Sequence, residues 1–140
     1  MSATPEFIQH VPLFQSLERK QLETLARNLG RRDFAAGQEL TSEGAGGVGF
    51  FVLETGEAKV AVDGEERRTL GPGDYFGELA LLDRGPRTAT ITAATDGVAY
   101  GITAWEFRPL VEGHPALAWA LLQGLAARIR ELEQRSRTAS

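Results

Sequence analysis

The chain has 140 residues, no cysteine, 16 glycines and a formal net charge of −4. This length fits one domain that buries roughly 70% of its unfolded surface, so no disulfide or metal is needed for folding. The missing cysteine excludes a disulfide scaffold, a cysteine-ligated zinc and a cysteine nucleophile, and the acidic balance argues against a broad basic face for nucleic acid.

Targeting and membrane segments are not visible in the sequence. The N-terminus lacks a basic start followed by an apolar run, as a signal peptide requires. The longest uninterrupted apolar run, residues 116–122, falls well short of the roughly 18 residues that a membrane span needs. We therefore expect a cytoplasmic protein that makes no membrane contact.

The first 30 residues have a sequence pattern typical of helices. Leu22, Leu25 and Leu29 keep helical spacing, which predicts a helix over residues 18–29 with Gly30 as its C-terminal cap. Residues 12–14 are predicted to form a turn that packs against this helix.

The middle of the chain has the pattern of short strands joined by tight turns. Thirteen of the 16 glycines lie between residues 37 and 101. Asp63-Gly64 and the segment 71–74 are turn signals. Apolar residues alternate with polar or small ones in three runs: Ala58, Val60 and Val62; Ala89, Ile91 and Ala93; Val98, Tyr100 and Ile102. These runs predict half-buried strands that enclose a core.

The last part of the chain returns to helix. Thr103 and Glu106 fit a capping box at the start of a short helix that ends near Glu112. Pro115 suits the first turn of a longer helix that extends to about residue 134, with a frayed polar tail from Ser136. Its apolar residues step by four and three, which fits packing on the barrel or on a second copy of the chain: Ala118, Leu122, Leu125, Ile129 and Leu132.

A glycine-rich segment imitates a dinucleotide-binding fingerprint. Residues 44–49 satisfy G-x-G-x-x-G, and Asp63 lies at the distance of the usual acidic residue. The fingerprint requires a helix after the glycines, whereas the strand-like run 50–53 follows here. We therefore predict a turn between two strands.

Catalytic constellations are scarce. His10 and His114 are isolated and are predicted to be surface or helix-end residues, and H-E-x-x-H, G-x-S-x-G and P-loop patterns are lacking. We therefore expect no enzyme activity. A small barrel enzyme of the cupin type would need a histidine-rich metal site, and no histidine occurs between residues 37 and 101.

The informative stretch is residues 76–91, Phe-Gly-Glu-Leu-Ala-Leu-Leu-Asp-Arg-Gly-Pro-Arg-Thr-Ala-Thr-Ile. Its pattern predicts a turn glycine, a one-turn helix, a loop and an arginine entering a strand. An arginine fork and helix-start amides can face one anion, and Glu78 could accept hydrogen bonds from a ribose. Alternatively, Glu78 and Arg87 simply pair with each other.

This stretch closely resembles the phosphate-binding cassette of the cyclic nucleotide-binding domain family. The resemblance extends over residues 14–132 and includes Gly37, the run 50–53 with Gly56, and the segment 70–78. It implies a mainly β fold, a β-roll of the jelly-roll type flanked by N-terminal helices and a C-terminal helical lid. One domain then fills residues 1–140, with helices at 5–30, the β-roll at 31–103, the cassette at 76–90 and helices at 104–135.

The resemblance also implies roles for the cassette residues. Glu78 holds the ribose 2′-hydroxyl, Arg87 pairs with the cyclic phosphate, and Thr88 touches phosphate and purine. Backbone groups around Gly77, Leu79 and Ala80 line the ribose and phosphate. Both Glu78 and Arg87 are present, so we expect a competent site.

Base recognition is predicted less directly. The C-terminal helix of the family covers the base, and here Trp119, Leu122 and Gln123, with Val60 from the roll, are the candidates. Trp119 has the alternative of ordinary packing against the barrel. Ligands in the family are cAMP and cGMP. A threonine after the cassette arginine resembles the cGMP-type cassette of the kinases, whereas in the bacterial transcription regulators serine or threonine there goes with cAMP. We expect cAMP.

The resemblance implies a sensor module whose C-terminal helices shift when the ligand binds. A homodimer through the long helix and an effector protein are expected partners, and no DNA-reading segment follows the long helix. The chain could be a free-standing sensor or a piece of a larger protein. The rival interpretation is a degenerate fold that acts only as a protein-interaction module.

Overall fold

The computed structural model describes residues 3–41, 49–77, 80–83 and 89–139. Two four-stranded antiparallel sheets follow a helical N-terminus and precede two C-terminal helices. The helical elements are α1 (Pro5–Ile8), a 3₁₀ turn (Pro12–Phe14), α2 (Arg19–Arg27), α3 (Ala80–Asp83), α4 (Ala104–Glu112) and α5 (Pro115–Ala139). The strands are β1 (Gly30–Phe34), β2 (Glu39–Thr41), β3 (Gly49–Thr55), β4 (Ala58–Val62), β5 (Glu65–Leu70), β6 (Tyr75–Phe76), β7 (Thr90–Ala93) and β8 (Gly97–Thr103).

The two sheets have the strand orders β1-β8-β3-β6 and β2-β7-β4-β5. The predicted mainly β architecture with flanking helices is confirmed. Among the helices in the described ranges, none is both long enough and apolar enough to cross a membrane.

Two hydrophobic clusters stabilise this arrangement. The inner cluster lies between the sheets and contains Phe34, Leu53, Ala58, Val60, Leu70, Phe76, Ile91, Ala93 and Ala99. The outer cluster lies between the β1-β8-β3-β6 sheet and the helices, and it includes Phe50, Val52, Tyr100, Ile102, Phe107 and Leu117. Neighbouring residues of β3 fall into different clusters because successive strand side chains point to opposite faces.

The N-terminal prediction is right about the elements and wrong about one boundary. The 3₁₀ turn lies where a packed turn was predicted, and its Leu13 and Phe14 are buried. Helix α2 ends at Arg27 with Asn28 as its C-cap. Gly30 is not a cap, because it is the first residue of β1 and pairs with Gly101 of β8.

The turn predictions in the roll are confirmed. Asp63 and Gly64 both have positive φ, as the tight hairpin between β4 and β5 requires. The backbone N–H of Asp74 donates to the carbonyl of Gly71 at 3.0 Å, which closes the turn before β6. The glycine-rich segment 44–49 is followed by a strand, β3, as predicted. Residues 44–48 themselves lie outside the described part of the chain.

The C-terminal helices have the predicted bounds except at the end of α5. Helix α4 begins and ends as predicted, but α5 continues to Ala139, so the frayed tail from Ser136 is wrong. Its buried face consists of Leu117, Ala120, Leu121 and Gly124. The predicted seam lies on another face, where Leu122, Ile129 and Leu132 are 48–55% exposed. Leu125 of the seam packs against the outer cluster, so the seam contacts the core there and leaves Leu122, Ile129 and Leu132 exposed.

Helix α5 approaches the 3₁₀ turn closely at Gly124. A Cβ at this position would lie 2.7 Å from the carbonyl oxygen of Leu13, a backbone atom that cannot easily move. We predict that Gly124→Ala lowers the free energy of unfolding by about 1–3 kcal/mol through overpacking. Helix propensity alone predicts the opposite sign, a gain of about 1 kcal/mol.

Urea unfolding of the two proteins measures this difference. The control is Ala127→Gly on the exposed face of the same helix, which should cost about 1 kcal/mol through propensity alone. A Gly124→Ala protein that is more stable than wild type would show that the contact is not tight.

The capping box of α4 predicts an acid dependence of stability. Oε1 of Glu106 accepts hydrogen bonds from the backbone N–H of Thr103 at 3.1 Å and from its hydroxyl at 2.9 Å. These bonds, the backbone one first, hold the pKa of Glu106 below its ordinary value of 4.5. The stabilisation is therefore complete above that value and disappears as the pH falls through the lower folded pKa.

We predict that wild type loses more stability between neutral pH and pH 3 than Glu106→Gln does. Thermal unfolding across this pH range is the measurement. Glu57→Gln, which changes an exposed carboxyl between β3 and β4, should keep the wild-type acid dependence. Equal losses in wild type and Glu106→Gln would rule out the capping box as its source.

Candidate functional site

The predicted cassette connects the two sheets. It leaves the first sheet at β6, which pairs with β3, and enters the second sheet at β7, which pairs with β4. Phe76 at its start and Ile91 just after its end are both buried in the inner cluster. The cassette is therefore anchored at both ends on the side chains that fill the roll.

The backbone turns sharply where the cassette begins. Gly77 has a φ of 86°, a left-handed conformation that side-chain-bearing residues rarely adopt. The chain then forms α3, a single turn that starts at Ala80. The predicted ligand contacts Glu78, Leu79, Arg87 and Thr88 lie outside the described residues, so their roles stay predictions.

Val60 lies with the two ends of the cassette. Its side chain is buried in the inner cluster, and in the β4–β7 ladder Val60 is directly opposite Ile91. The structure thus places this candidate base contact on the same inner face as Phe76.

The other candidate base contacts lie elsewhere. Trp119, Leu122 and Gln123 are exposed on α5, whose buried residues belong to the outer cluster. The alternative that Trp119 packs on the barrel is wrong, because 65% of this residue is exposed. In this structure α5 does not bring these three residues to the inner cluster.

Sequence reasoning missed the residue that connects the cassette to the helices. Leu81 of α3 is buried in the outer cluster, together with Phe107 of α4 and Leu117 of α5. Helix α3 packs against both α4 and β3. The apolar residues of the one-turn helix were the available signal, but only the fold shows which of them is buried.

The strand that leads into the cassette is also held from the N-terminal side. Nε2 of His10 lies 2.5 Å from the carbonyl oxygen of Gly73. The rings of His10 and Tyr75 form a T-shaped pair with centroids 6.1 Å apart. His10 is exposed, as predicted. His114, the other histidine, hydrogen-bonds the carbonyl of Leu110 just after α4, as expected for a helix-end residue.

Comparison with known proteins agrees with this geometry. The family model of the cyclic nucleotide-binding domain matches residues 31–114. The chain is 42% identical to a cGMP-dependent protein kinase of Toxoplasma gondii over 63% of the length of this chain. It is 32% identical to the CRP-like cAMP-activated global transcriptional regulator of Mycobacterium tuberculosis over 89% of its length. These matches span 9% of the kinase and 58% of the regulator.

A solved structure covers nearly the same extent of chain. The N-terminal domain of a transcriptional regulator from Streptomyces coelicolor superimposes with a TM-score of 0.81 at 32% identity, over 91% of this chain and 95% of that one. The overall fold is thus shared with a protein of known structure. The chain belongs to the cyclic nucleotide-binding domain family.

Proposed function

We propose that this domain is a regulatory sensor rather than an enzyme, and that it binds cAMP in preference to cGMP. The observation that carries the proposal is the placement of the cassette, which joins the two sheets with both ends fixed in the inner cluster. A ligand of this class suggests a cytoplasmic location.

The chemistry of the cassette suits a cyclic nucleotide. A guanidinium pairs with phosphate oxygens through two parallel hydrogen bonds, and this is the role proposed for Arg87. A carboxylate only accepts hydrogen bonds when ionised, so Glu78 can take them from a ribose hydroxyl. Thr88 follows Arg87, and a threonine there resembles both the cGMP-type cassette of the kinases and the cassette of bacterial regulators that respond to cAMP. The preference for cAMP is proposed on the likeness to the CRP-like regulator, which extends over 89% of the chain.

Ligand binding is proposed to shift the C-terminal helices. Helix α3 of the cassette packs on α4, and α4 packs on α5. Leu81 couples these elements because it is buried among the residues of both helices. The shift can be no larger in free energy than the difference in ligand affinity between the two arrangements.

A second copy of the chain is the proposed partner of α5. The exposed seam of Leu122, Ile129 and Leu132 keeps the spacing of a two-stranded coiled coil. In a parallel pair with that seam, Arg128 of one copy faces Glu133 of the other, because these residues take the g and following e positions. The same face thus supplies apolar contact and opposite charges.

Bound cAMP should stabilise the folded domain. At a cAMP concentration of one hundred times the dissociation constant, the wild-type domain should be stabilised by about 2.7 kcal/mol. A thermal-shift assay measures this stabilisation. Arg87→Ala should weaken cAMP binding by about 2–5 kcal/mol, because the phosphate is left without its charged partner. Calorimetric titration measures the loss directly.

Arg108→Ala is the matched control for this test. Arg108 is an exposed arginine of α4 that pairs with Glu112, so its removal should leave cAMP binding intact. If Arg87→Ala binds cAMP as tightly as wild type, the assignment of the phosphate site is wrong. Absence of any shift with millimolar cAMP or cGMP would favour the degenerate interaction module.

The proposed dimer depends on the apolar seam of α5. Ile129→Glu should convert a dimer into a monomer, because it places a charge in the middle of the apolar seam. Light scattering with and without cAMP is the measurement. Ala127→Glu, on another exposed face of the same helix, should leave the dimer intact. A wild-type chain that is monomeric under both conditions would exclude this partner.

A further inference from the structure

A cavity opens between the two sheets at the edge that β1 and β2 form. Its volume is about 450 Å³, which lies in the range of small-molecule sites, roughly 300–1,000 Å³. Its apolar wall consists of side chains that belong to the inner cluster or pack against it: Phe34, Leu40, Phe51, Phe76 and Ala99. Val60 and Ile91, which lie at the far end of the cassette, are not among its lining residues. The cavity is therefore distinct from the proposed nucleotide site.

Arg32 brings a positive charge to the mouth of this cavity. It is directly opposite Ala99 in the β1–β8 ladder, and Phe34, two residues further on, is buried in the inner cluster. Because opposed residues share a face and successive side chains alternate, Arg32 stands on the inner face of β1. The neighbouring Arg31 and Asp33 stand on the other face, where they form an ion pair at 3.0 Å.

The guanidinium of Arg32 is available to a ligand. Arg32 is exposed, and within the described ranges it forms no hydrogen bond or ion pair. The pKa of Glu106 is lowered by its hydrogen bonds to Thr103 and, to a smaller extent, by the charge of Arg32. Glu39 also lines the cavity, but its partner Thr92 lies between two residues of the inner cluster, so Glu39 faces away from the inside.

We propose that this cavity binds an aromatic carboxylate, with the carboxylate on Arg32 and the ring against Phe51 and Phe76. This inference goes beyond the proposed function and does not depend on it. An arginine fork binds a carboxylate through two parallel hydrogen bonds, and the single charge of that group matches one arginine. The rings of Phe51 and Phe76 are 5.5 Å apart, and a third ring gains tilted or edge contacts with them.

The spacing of the strands suits a small acid of this class. Phe51 is on β3, the second strand from β1, with β8 between them. Adjacent strands are about 4.8 Å apart, so Phe51 lies at least roughly 10 Å from Arg32 across the sheet. An arginine side chain and a ligand with one ring and one carboxylate together cover this distance.

The test is calorimetric titration with phenylacetate and with its neutral analogue phenylacetamide. Wild type should prefer phenylacetate by about tenfold, the value of a charge-assisted hydrogen-bond pair. Arg32→Ala should lose this preference and bind the two compounds alike. Arg31→Ala removes the adjacent arginine on the opposite face of β1 and should keep the wild-type preference.

Arg87→Ala separates this cavity from the cassette, whose arginine is another candidate partner for an acid. It should bind phenylacetate as wild type does, and a loss of binding would place the acid in the cassette and overturn the inference. Equal phenylacetate affinity in wild type and Arg32→Ala, or no binding at millimolar phenylacetate, would also overturn it. These outcomes leave the proposed cAMP binding untouched, because no titration here uses a nucleotide. Thermal unfolding of each variant confirms that the domain is folded.

Discussion

The structure depends on one sheet that is buried on both faces. Strands β3 and β8 send alternate side chains into two different clusters, so Phe50 and Val52 contact the helices while Leu53 contacts the opposite sheet. Neither layer can cover its apolar face without this shared sheet. The helices and the roll are therefore not separate units joined by a linker, and a change in the packing of one cluster is felt at the sheet that also bounds the other.

This two-sided burial explains how a site within the roll can affect helices outside it. Strand β6 has only two residues: Phe76 is in the inner cluster, whereas Tyr75 packs against the outer one. A few residues later Leu81 is again in the outer cluster. The cassette thus has side chains on both sides of the shared sheet. The packing of Leu81 among the helices is the contact through which the proposed ligand-driven shift would reach them.

The sequence predicted elements whose signal is local. Thr103 with Glu106 defined the start of α4, and Asp63-Gly64 defined a hairpin, because capping and turn chemistry involve neighbours in the chain. Strands β1 and β5 show no alternation of apolar and polar residues in the sequence. Both are edge strands, and four residues of β1 and five of β5 are exposed. On α5 the seam was visible, but the buried face through Leu117 and Gly124 was not. Leu81 needed tertiary packing, which one sequence does not contain.

The two faces of α5 limit how this helix can move. Its buried face is fixed at Gly124 against the 3₁₀ turn, and Nε2 of Gln15 donates to the Gly124 carbonyl at 3.4 Å. Nε2 of Gln21 in α2 donates to the Ala116 carbonyl at 3.3 Å. A rotation of α5 alone would lose these contacts and separate a tightly packed surface. A motion that keeps these contacts carries the 3₁₀ turn and α2 with α5 as one body. Beyond Gly124 the described residues of α5 are mostly exposed. The contacts of this part of the helix can therefore change without disturbing the core.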